Sequence, residues 1–315
     1  MATSSSDDRL PDPDRSIAQV RADLFDPAFL GRVEQLALLA RRMVTSGAQA
    51  HRRSKKIGSG LEFAEHRDYS AGDDMAQLDW ALLARSDQVQ IREYEEEEDL
   101  SVYFLVDHSQ SMAVGAEGEI SLLDRALQIA AALGYISLSN LDRVSVVPFA
   151  QGAGAPMRAV RGRGQFFAVL RTLSAVKPAG KTDIRKAIDD FVRHQPRPGL
   201  VVLISDFFDP SGLGDALSLL AYRGFEPMLL HLCDLQLLQA GAYGDVTLVD
   251  SETGELCEIT LTPALMADYR KAFAAFSADL ERAARQVAAR CLQLDVAVPF
   301  DEAVLKVFRQ GGFLG

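Results

Sequence analysis

The sequence predicts an α/β protein whose core is a doubly wound, mostly parallel β-sheet. Three observations lead to this prediction. Beyond Leu100, short apolar runs alternate with helical segments, as a parallel sheet covered by helices requires. The chain has 315 residues, of which 48% are hydrophobic, so it can bury one sizeable core. Two of the apolar runs end in polar residues, at Asp107 and Asp206, where open α/β sheets place their binding sites.

The predicted elements begin with a helix at the N-terminal side. Asp26 and Pro27 form a helix-start signal and Gly47 a stop signal, so one amphipathic helix is expected between them. The segment that follows, up to residue 98, shows no simple periodicity and is expected to be extended. Five later apolar runs are candidate strands: Val102–Val106, Val144–Phe149, Leu200–Ile204, Pro227–Leu232 and Leu294–Val298. Two helical patterns lie between them, over Leu123–Leu138 and Ile184–Phe191.

The C-terminal part adds a hairpin and a long helix. Apolar residues alternate on both sides of Gly254, which predicts a β-hairpin inserted between Asp245 and Thr262. Thr262 and Pro263 then open a helix that is expected to reach about Arg290. The predicted organisation is a flexible tail over residues 1–25, a helix and extended segment over 26–98 that packs on the main domain, and the α/β domain over 99–315.

Charge and composition narrow the function classes. The chain has 33 Lys and Arg against 44 Asp and Glu, and its net charge of -11 opposes binding to nucleic acid or to an anionic membrane. The N-terminus lacks the cationic start and apolar stretch of a signal peptide. The longest apolar stretch, Ala126–Leu138, is shorter than the roughly 20 residues that span a bilayer, so a cytoplasmic protein without a membrane segment is expected. Three cysteines without CxxC spacing predict buried free thiols.

A cluster of oxygen-bearing residues marks the predicted site. Asp107, Ser109 and Ser111 follow the first buried strand at alternate positions, and their carboxylate and hydroxyl oxygens suit a small hard cation. Asp206 follows a second strand, Leu200–Ile204. Thr182 comes just before the helical pattern Ile184–Phe191, which lies between these two strands along the chain. These five residues predict a site for a divalent cation. Mg²⁺ is the first choice, and Mn²⁺ or Ca²⁺ fits the same oxygens.

The alternative interpretation is a P-loop NTPase. Gly180-Lys181-Thr182 ends a relaxed phosphate-loop pattern, and Asp206 stands where such an enzyme holds its magnesium. Three features oppose this alternative. Phe166–Val176 has helical spacing where a strand should precede the loop, Ala175 replaces the first glycine, and Pro178 removes a backbone N–H that would bind phosphate.

The order Asp-x-Ser-x-Ser, Thr, strand-end Asp resembles the metal-ion-dependent adhesion site of von Willebrand factor A domains at all five positions. The resemblance implies a Rossmann-like A-type domain that binds a partner through its metal. Neutral hydroxyls and two carboxylates would leave the ion electrophilic, so a carboxylate of the partner can complete its shell. No enzyme activity is expected, since Ser109 stands where an aspartyl phosphatase needs its second acid.

A second resemblance covers about residues 50 to 310. The stretch from Phe63 to Arg85 and the segment Val249–Glu255 look like the signature of the domain-of-unknown-function 58 family. That family implies an A-type domain that associates with MoxR-type AAA+ ATPases, so the chain is expected to be an adaptor or substrate-recruiting partner. A structural scaffold that keeps an empty metal site is the other alternative. Two departures stand out: Ala76 replaces the usual Arg, and the membrane helices of many members are not expected.

The signature segment also has an interpretation from its residues alone. Its arginines, among them Arg67 and Arg85, lie among several acidic residues such as Asp73 and Asp79. Ion pairs between them are expected to pin an irregular segment onto the main domain, with Trp80 as the apolar anchor.

Overall fold

The computed structural model describes residues 24–47, 57–70, 73–86, 89–95, 100–115, 120–194, 197–209, 212–239, 244–251, 254–311 and 313. The predicted tail over residues 1–25 lies outside the described residues, except for Leu24 and Phe25. Leu24 is buried, and the Phe25 ring meets the Phe29 ring edge-on at 5.3 Å. The chain divides into two compact units, the larger of which reaches to Arg41 and resumes from Leu100 to Phe313, and the smaller of which holds Arg42–Asp99.

The described residues form helices and strands that agree closely with the predicted order. The strands are β1 (Ile57–Asp68), β2 (Gln90–Glu95), β3 (Ser101–Asp107), β4 (Arg143–Phe149), β5 (Val160–Arg161), β6 (Leu200–Ser205), β7 (Glu226–Cys233), β8 (Gly244–Val249), β9 (Leu256–Leu261) and β10 (Arg290–Asp295). The helices are α1 (Pro27–Gly47), α2 (Trp80–Ser86), α3 (Leu122–Ser139), α4 (Phe166–Ser174), α5 (Ile184–His194), α6 (Leu213–Tyr222), α7 (Gln236–Gln239), α8 (Pro263–Gln286) and α9 (Phe300–Gly311).

A six-stranded sheet forms the centre of the larger unit, in the order β10-β7-β6-β3-β4-β5. All neighbouring pairs are parallel except β4 and β5, which are antiparallel. The prediction of a mostly parallel α/β sheet is therefore confirmed. The chain enters at β3, extends the sheet to one side with β4, and then returns to place β6 on the other side. Both neighbours of β3 thus end at the same edge of the sheet.

Helices cover both faces of this sheet. Successive residues of a strand point to opposite sides, and every residue of β3 and β6 is buried, so both faces need a cover. On one face the Tyr103 ring meets the Phe191 ring of α5 edge-on at 5.1 Å. On the other face the Phe104 ring lies against Gly134 of α3, which is buried along nearly its whole length. Helix α1 belongs to the same unit as far as Arg41, and its Phe29 ring lies 4.6 Å from the Phe300 ring of α9.

Two predicted boundaries near the C-terminus were wrong. Helix α8 ends at Gln286 rather than near Arg290, because Ala288 adopts a left-handed conformation with φ of 56°. Strand β10 covers Arg290–Asp295 rather than Leu294–Val298. Its side chains alternate between buried leucines and half-buried polar residues, as in a strand at the edge of a sheet. The apolar residues after Asp295 form a turn, in which the Val298 N–H donates to the Asp295 carbonyl.

The smaller unit is built on an antiparallel pair that the sequence did not indicate. β1 and β2 pair along the signature segment, with Arg67 opposite Ile91. Arg67 and Asp73 form an ion pair within this unit, in which their side-chain atoms lie 2.9 Å apart.

Trp80, the expected apolar anchor, is 61% exposed. Asp79 caps α2 by accepting the N–H groups of Ala81 and Leu82, each at 3.0 Å, so Trp80 is the first residue of the helix. Leu78 and Ile91 are buried in this unit instead. Across the described part of the chain, no helix is both long and apolar enough to cross a membrane.

Candidate metal centre

The five predicted site residues lie at the carboxyl edge of the parallel sheet or in the loop beside it. Asp107 is the last residue of β3, and Asp206 directly follows β6. Because Val106 pairs with Ile204 in parallel register, the ends of these two strands meet. Thr182 lies two residues before α5, in the loop that leads into this helix.

The Asp107 carboxylate is completely buried and is held by neutral donors. Its Oδ1 accepts the backbone N–H of Ser109 at 2.8 Å. Its Oδ2 accepts the hydroxyl of Ser205 at 2.6 Å and that of Thr182 at 3.4 Å. Among the described residues, no Lys, Arg or His forms an ion pair with this carboxylate. A buried carboxylate without a cationic partner is costly, and a bound cation would compensate its charge.

The hydroxyls of the Asp-x-Ser-x-Ser loop lie together beside this carboxylate. The Oγ atoms of Ser109 and Ser111 are 3.0 Å apart, and Ser109 is buried while Ser111 is half-buried. Hydrogen bonds therefore connect four of the five predicted residues. Asp206, the fifth, is buried at the end of the neighbouring strand, and its Oδ1 accepts the N–H of Phe208 at 3.1 Å, within its own loop.

Backbone hydrogen bonds join the Asp-x-Ser-x-Ser loop to the loop that carries Thr182. The Gln110 N–H donates to the Gly180 carbonyl at 2.9 Å, and the Ala179 N–H donates to the His108 carbonyl at 2.8 Å. Gly180 has φ of 74°, a left-handed conformation that favours glycine. The two loops thus hold their hydroxyls in fixed positions relative to each other.

Asp209 connects the loop after β6 to the same region. Its Oδ2 accepts the backbone N–H of Ile184, the first residue of α5, at 2.6 Å. Asp183 supplies a second cap to this helix, because its Oδ1 accepts the N–H of Lys186 at 2.8 Å. The carboxylate-bearing loop after β6 is thereby fixed to the start of the helix that follows Thr182.

Burial dominates the electrostatics of the site. Burial raises the pKa of the Asp107 carboxyl above its ordinary value, and the hydrogen bonds from Ser205, Ser109 and Thr182 act in the opposite direction. The available ligands are two carboxylates and three hydroxyls, which suits a hard cation such as Mg²⁺. No group of three or more His, Cys, Asp or Glu side chains that could hold a metal occurs among the described residues.

An aromatic cluster lies directly behind the site. Phe207, which follows Asp206, is buried with a left-handed φ of 59°, and its ring lies 6.2 Å from the His231 ring of β7. His231 also packs against Phe273 and Phe276 of α8, and the Phe208 ring stacks on Phe276 at 4.9 Å. No hydrogen-bond partner of the His231 Nε2 atom occurs among the described residues, and burial lowers the pKa of His231 to about 4.

Two residues of the centre were not singled out from the sequence. Ser205 donates to Asp107 and accepts the Phe207 N–H at 2.8 Å, and Asp209 caps α5. The signal for Ser205 was its place beside Asp206 at a strand end. Its role becomes evident only once β6 is known to lie next to β3.

Two mycobacterial proteins are similar to this chain in sequence. The Uncharacterized protein Rv1480 of Mycobacterium tuberculosis (strain H37Rv) is 30% identical over 280 residues, which is 88% of both chains. The Uncharacterized protein MAV169 of Mycobacterium avium is 35% identical over 136 residues, or 42% of this chain and 80% of that protein. Among solved structures, the conserved hypothetical protein BatB from Bacteroides thetaiotaomicron matches with a TM-score of 0.46 at 16% identity, over 68% of this chain and 98% of that one.

A second solved structure is an aerotolerance-related membrane protein from Bacteroides fragilis. It matches with a TM-score of 0.43 at 16% identity, over 67% of this chain and 98% of that one. The family model described as "Protein of unknown function DUF58" matches residues 65–298. This match includes most of the signature segment, both strand-end aspartates and the hairpin. The family indicated by the signature is therefore confirmed, and the chain belongs to the DUF58 family.

Proposed function

We propose that this protein is a non-enzymatic adaptor that binds a divalent cation at Asp107 and, through that cation, a carboxylate of a partner protein. The observation that carries the proposal is the buried Asp107 carboxylate, whose hydrogen-bond donors among the described residues are all neutral. The order of the oxygen-bearing residues resembles that of a von Willebrand factor A-type adhesion site, and the strand order around β3 is compatible with a Rossmann-like domain of that type.

Asp107, Ser109, Ser111, Thr182 and Asp206 would hold the ion. Mg²⁺ is the best candidate, and Mn²⁺ or Ca²⁺ would fit the same oxygens. The bound ion supplies a positive charge that a partner carboxylate can approach. The protein positions the ligands: Ser205 orients the Asp107 carboxylate, and the two backbone hydrogen bonds at Gly180 and Ala179 hold the loops together.

The proposed partner is a MoxR-type AAA+ ATPase or its client protein. This part of the proposal rests on the DUF58 resemblance. The acidic net charge of -11 favours a protein partner over nucleic acid.

A nucleotide-binding function is less well supported by the same residues. The loop before Thr182 follows helix α4 rather than a strand, whereas a P-loop follows a strand. In addition, the Gly180 carbonyl accepts a hydrogen bond from the Gln110 N–H, which ties this loop to the Asp-x-Ser-x-Ser loop. A scaffold that does not use its metal site is the remaining alternative, and the experiment below separates it from the adaptor.

The test measures two binding reactions with wild-type protein and matched variants. Calorimetry with Mg²⁺ or Mn²⁺ gives the metal affinity, and surface plasmon resonance gives the affinity for the MoxR-type ATPase of the same host, with Mg²⁺ or with EDTA. We expect Asp107→Ala to lose metal binding and to bind the ATPase as weakly as wild type does in EDTA.

Two controls make the result specific. Asp234→Asn changes another aspartate directly after a strand of the same sheet and should leave both affinities unchanged. Lys181→Ala should abolish nucleotide binding in a P-loop enzyme and leave metal binding intact in the adaptor. ATPase binding that is unaffected by EDTA and by Asp107→Ala would reject the metal-bridged adaptor and favour the scaffold.

A further inference from the structure

We propose that the β8–β9 hairpin is a second docking element, which inserts its apolar tip into a basic-rimmed groove of the same partner protein. We call residues 244–261 the acidic hairpin. The inference rests on the proposed function, because the partner is the protein that supplies a carboxylate to the metal. It adds an interaction surface that does not depend on the ion.

The tip of the acidic hairpin exposes apolar side chains on both of its faces. Val249 and Leu256 are paired across the two strands and are 62% and 70% exposed. On the opposite face Leu248, which is 50% exposed, pairs with the exposed Cys257. Side chains of a strand alternate between faces, so these two pairs project to opposite sides of the hairpin. Together they form an apolar knob at its tip, whereas a hairpin that packs on a protein core would have only one apolar face.

Within the part of the chain that the structure describes, this knob is exposed rather than covered. An isolated two-stranded hairpin is marginally stable in water and usually needs a covering surface. Here the residues near the base of the hairpin, such as Val246 and Ile259, are half-buried, whereas those at the tip are exposed. Large apolar side chains exposed together, with a polar surround, are more typical of a protein interaction site than of an ordinary surface.

The charge around the knob defines the chemistry of the partner. Residues 244–261 contain five carboxylates and no Lys, Arg or His. Four of these, Asp245, Asp250, Glu255 and Glu258, belong to the described part of the acidic hairpin. A surface of one sign disfavours anionic membranes and nucleic acid and favours a protein surface of opposite charge. An apolar groove lined at its rim by Lys and Arg matches both properties of the tip.

The position of the acidic hairpin allows one partner to reach both sites. It is inserted between the carboxyl end of β7 and the start of α8. β7 runs parallel to β6, so its carboxyl end lies at the same edge of the sheet as Asp206. A partner bound to the ion at this edge therefore approaches the side of the molecule from which the hairpin emerges.

The test compares hairpin variants with a matched surface variant. Val249→Ser with Leu256→Ser removes the apolar tip, and Glu258→Lys reverses one exposed charge of the hairpin. Tyr222→Ser is the control, because Tyr222 is 86% exposed at the end of α6, a helix that runs back towards the opposite edge of the sheet. The affinity for the MoxR-type ATPase is measured at about 50 and 200 mM NaCl, with Mg²⁺ and with EDTA.

We expect the double serine variant to bind at least about tenfold more weakly at either metal condition, and the control to match wild type. The affinity of wild type should be lower at the higher salt concentration than at the lower one. Glu258→Lys should make this decrease smaller. Circular dichroism melting curves establish that each variant is folded. Glu258→Lys keeps the apolar tip, so it tests the surface even if the double variant disturbs the hairpin.

The outcomes separate this inference from the proposed function. Mg²⁺-dependent binding that all hairpin variants retain would overturn the hairpin proposal and leave the metal-bridged adaptor intact. Binding that EDTA does not change but that the hairpin variants lose would support the hairpin proposal and overturn the metal-bridged adaptor. An ATPase that does not bind wild-type protein would overturn both.

Discussion

A single hydroxyl, that of Ser205, lies between the two strands that carry the candidate metal ligands. It donates to Asp107 at 2.6 Å and accepts the N–H of Phe207 at 2.8 Å. A residue that orients a metal ligand tunes metal affinity without touching the ion. Ser205 is therefore a positioning residue of the proposed centre.

Replacing Ser205 by Ala should lower Mg²⁺ affinity by about 10- to 100-fold, because the Asp107 carboxylate loses its shortest hydrogen bond. Calorimetric titration measures the effect. Ser205→Thr retains the hydroxyl and should recover most of the affinity. Ser218→Ala, which removes a hydroxyl that bonds to the Gly214 carbonyl on α6, is the control. Equal affinities for wild type and Ser205→Ala would show that this hydroxyl does not position the ligand.

His231 predicts a pH dependence of stability. Its pKa is lowered from 6.5 to about 4 by burial, so the unfolded chain takes up a proton at a higher pH than the folded one. The contribution of His231 to stability is therefore complete above about pH 6.5 and is lost as the pH falls towards 4. Between pH 7.5 and pH 4.5 the loss amounts to about 2–3 kcal/mol.

Urea unfolding at these two pH values tests this prediction. Wild-type protein should lose about 2–3 kcal/mol more than His231→Phe, whose ring cannot take up a proton. The comparison uses the change between the two pH values, so a constant cost of the substitution cancels. Identical losses in both proteins would contradict the assignment.

At the scale of elements, two glycines of the sheet domain differ in what they tolerate. A Cβ added to Gly134 of α3 would meet the nearest side-chain atom at 3.6 Å, an ordinary contact. A Cβ added to Gly199, just before β6, would lie 2.1 Å from the Ser101 carbonyl oxygen of β3. Gly134→Ala should thus stabilise the protein by about 0.5–1 kcal/mol, through helix propensity. Gly199→Ala should destabilise it by about 1–3 kcal/mol, because two adjacent strands must separate. Thermal unfolding measures both, and the same sign for both would refute the comparison.

The elements also differ in how far the sequence predicted them. β3, β4, β6 and β7 were placed within one residue, because strands buried on both faces are continuous apolar runs. β10 was misplaced, since an edge strand alternates and the apolar turn after Asp295 looked more like a strand. The β1–β2 pair was missed because it joins polar segments, such as those around His66 and Arg92, more than 20 residues apart.

The candidate site followed from the sequence for a local reason. Asp107, Ser109 and Ser111 form one short loop, and strand ends indicate which edge of the sheet they occupy. The contribution of Ser205 depends on which strands are neighbours, and the cap formed by Asp209 depends on the path of a loop. Neither is encoded in a spacing along the chain.

At the scale of the whole molecule, metal binding should change stability. A ligand that binds only the folded state stabilises it by about 2.7 kcal/mol when its concentration is a hundred times Kd. Mg²⁺ at that concentration should therefore raise the Tm of wild type and leave the Tm of Asp107→Ala unchanged. Differential scanning calorimetry with and without Mg²⁺ measures both values. Asp234→Asn should respond like wild type. An equal rise in Asp107→Ala would place the stabilising ion elsewhere.

The left-handed backbone of Phe207 has a consequence for evolution and engineering. Phe207 is not a glycine, so its φ of 59° costs free energy that its buried ring must offset by packing near His231. The loop that presents Asp206 is thus shaped from behind by the hydrophobic core. Substitutions in that aromatic cluster change no proposed ligand side chain, so they should adjust the proposed metal centre more gradually than changes to the ligands themselves. Under selection for altered metal affinity, we expect substitutions to accumulate in this aromatic cluster.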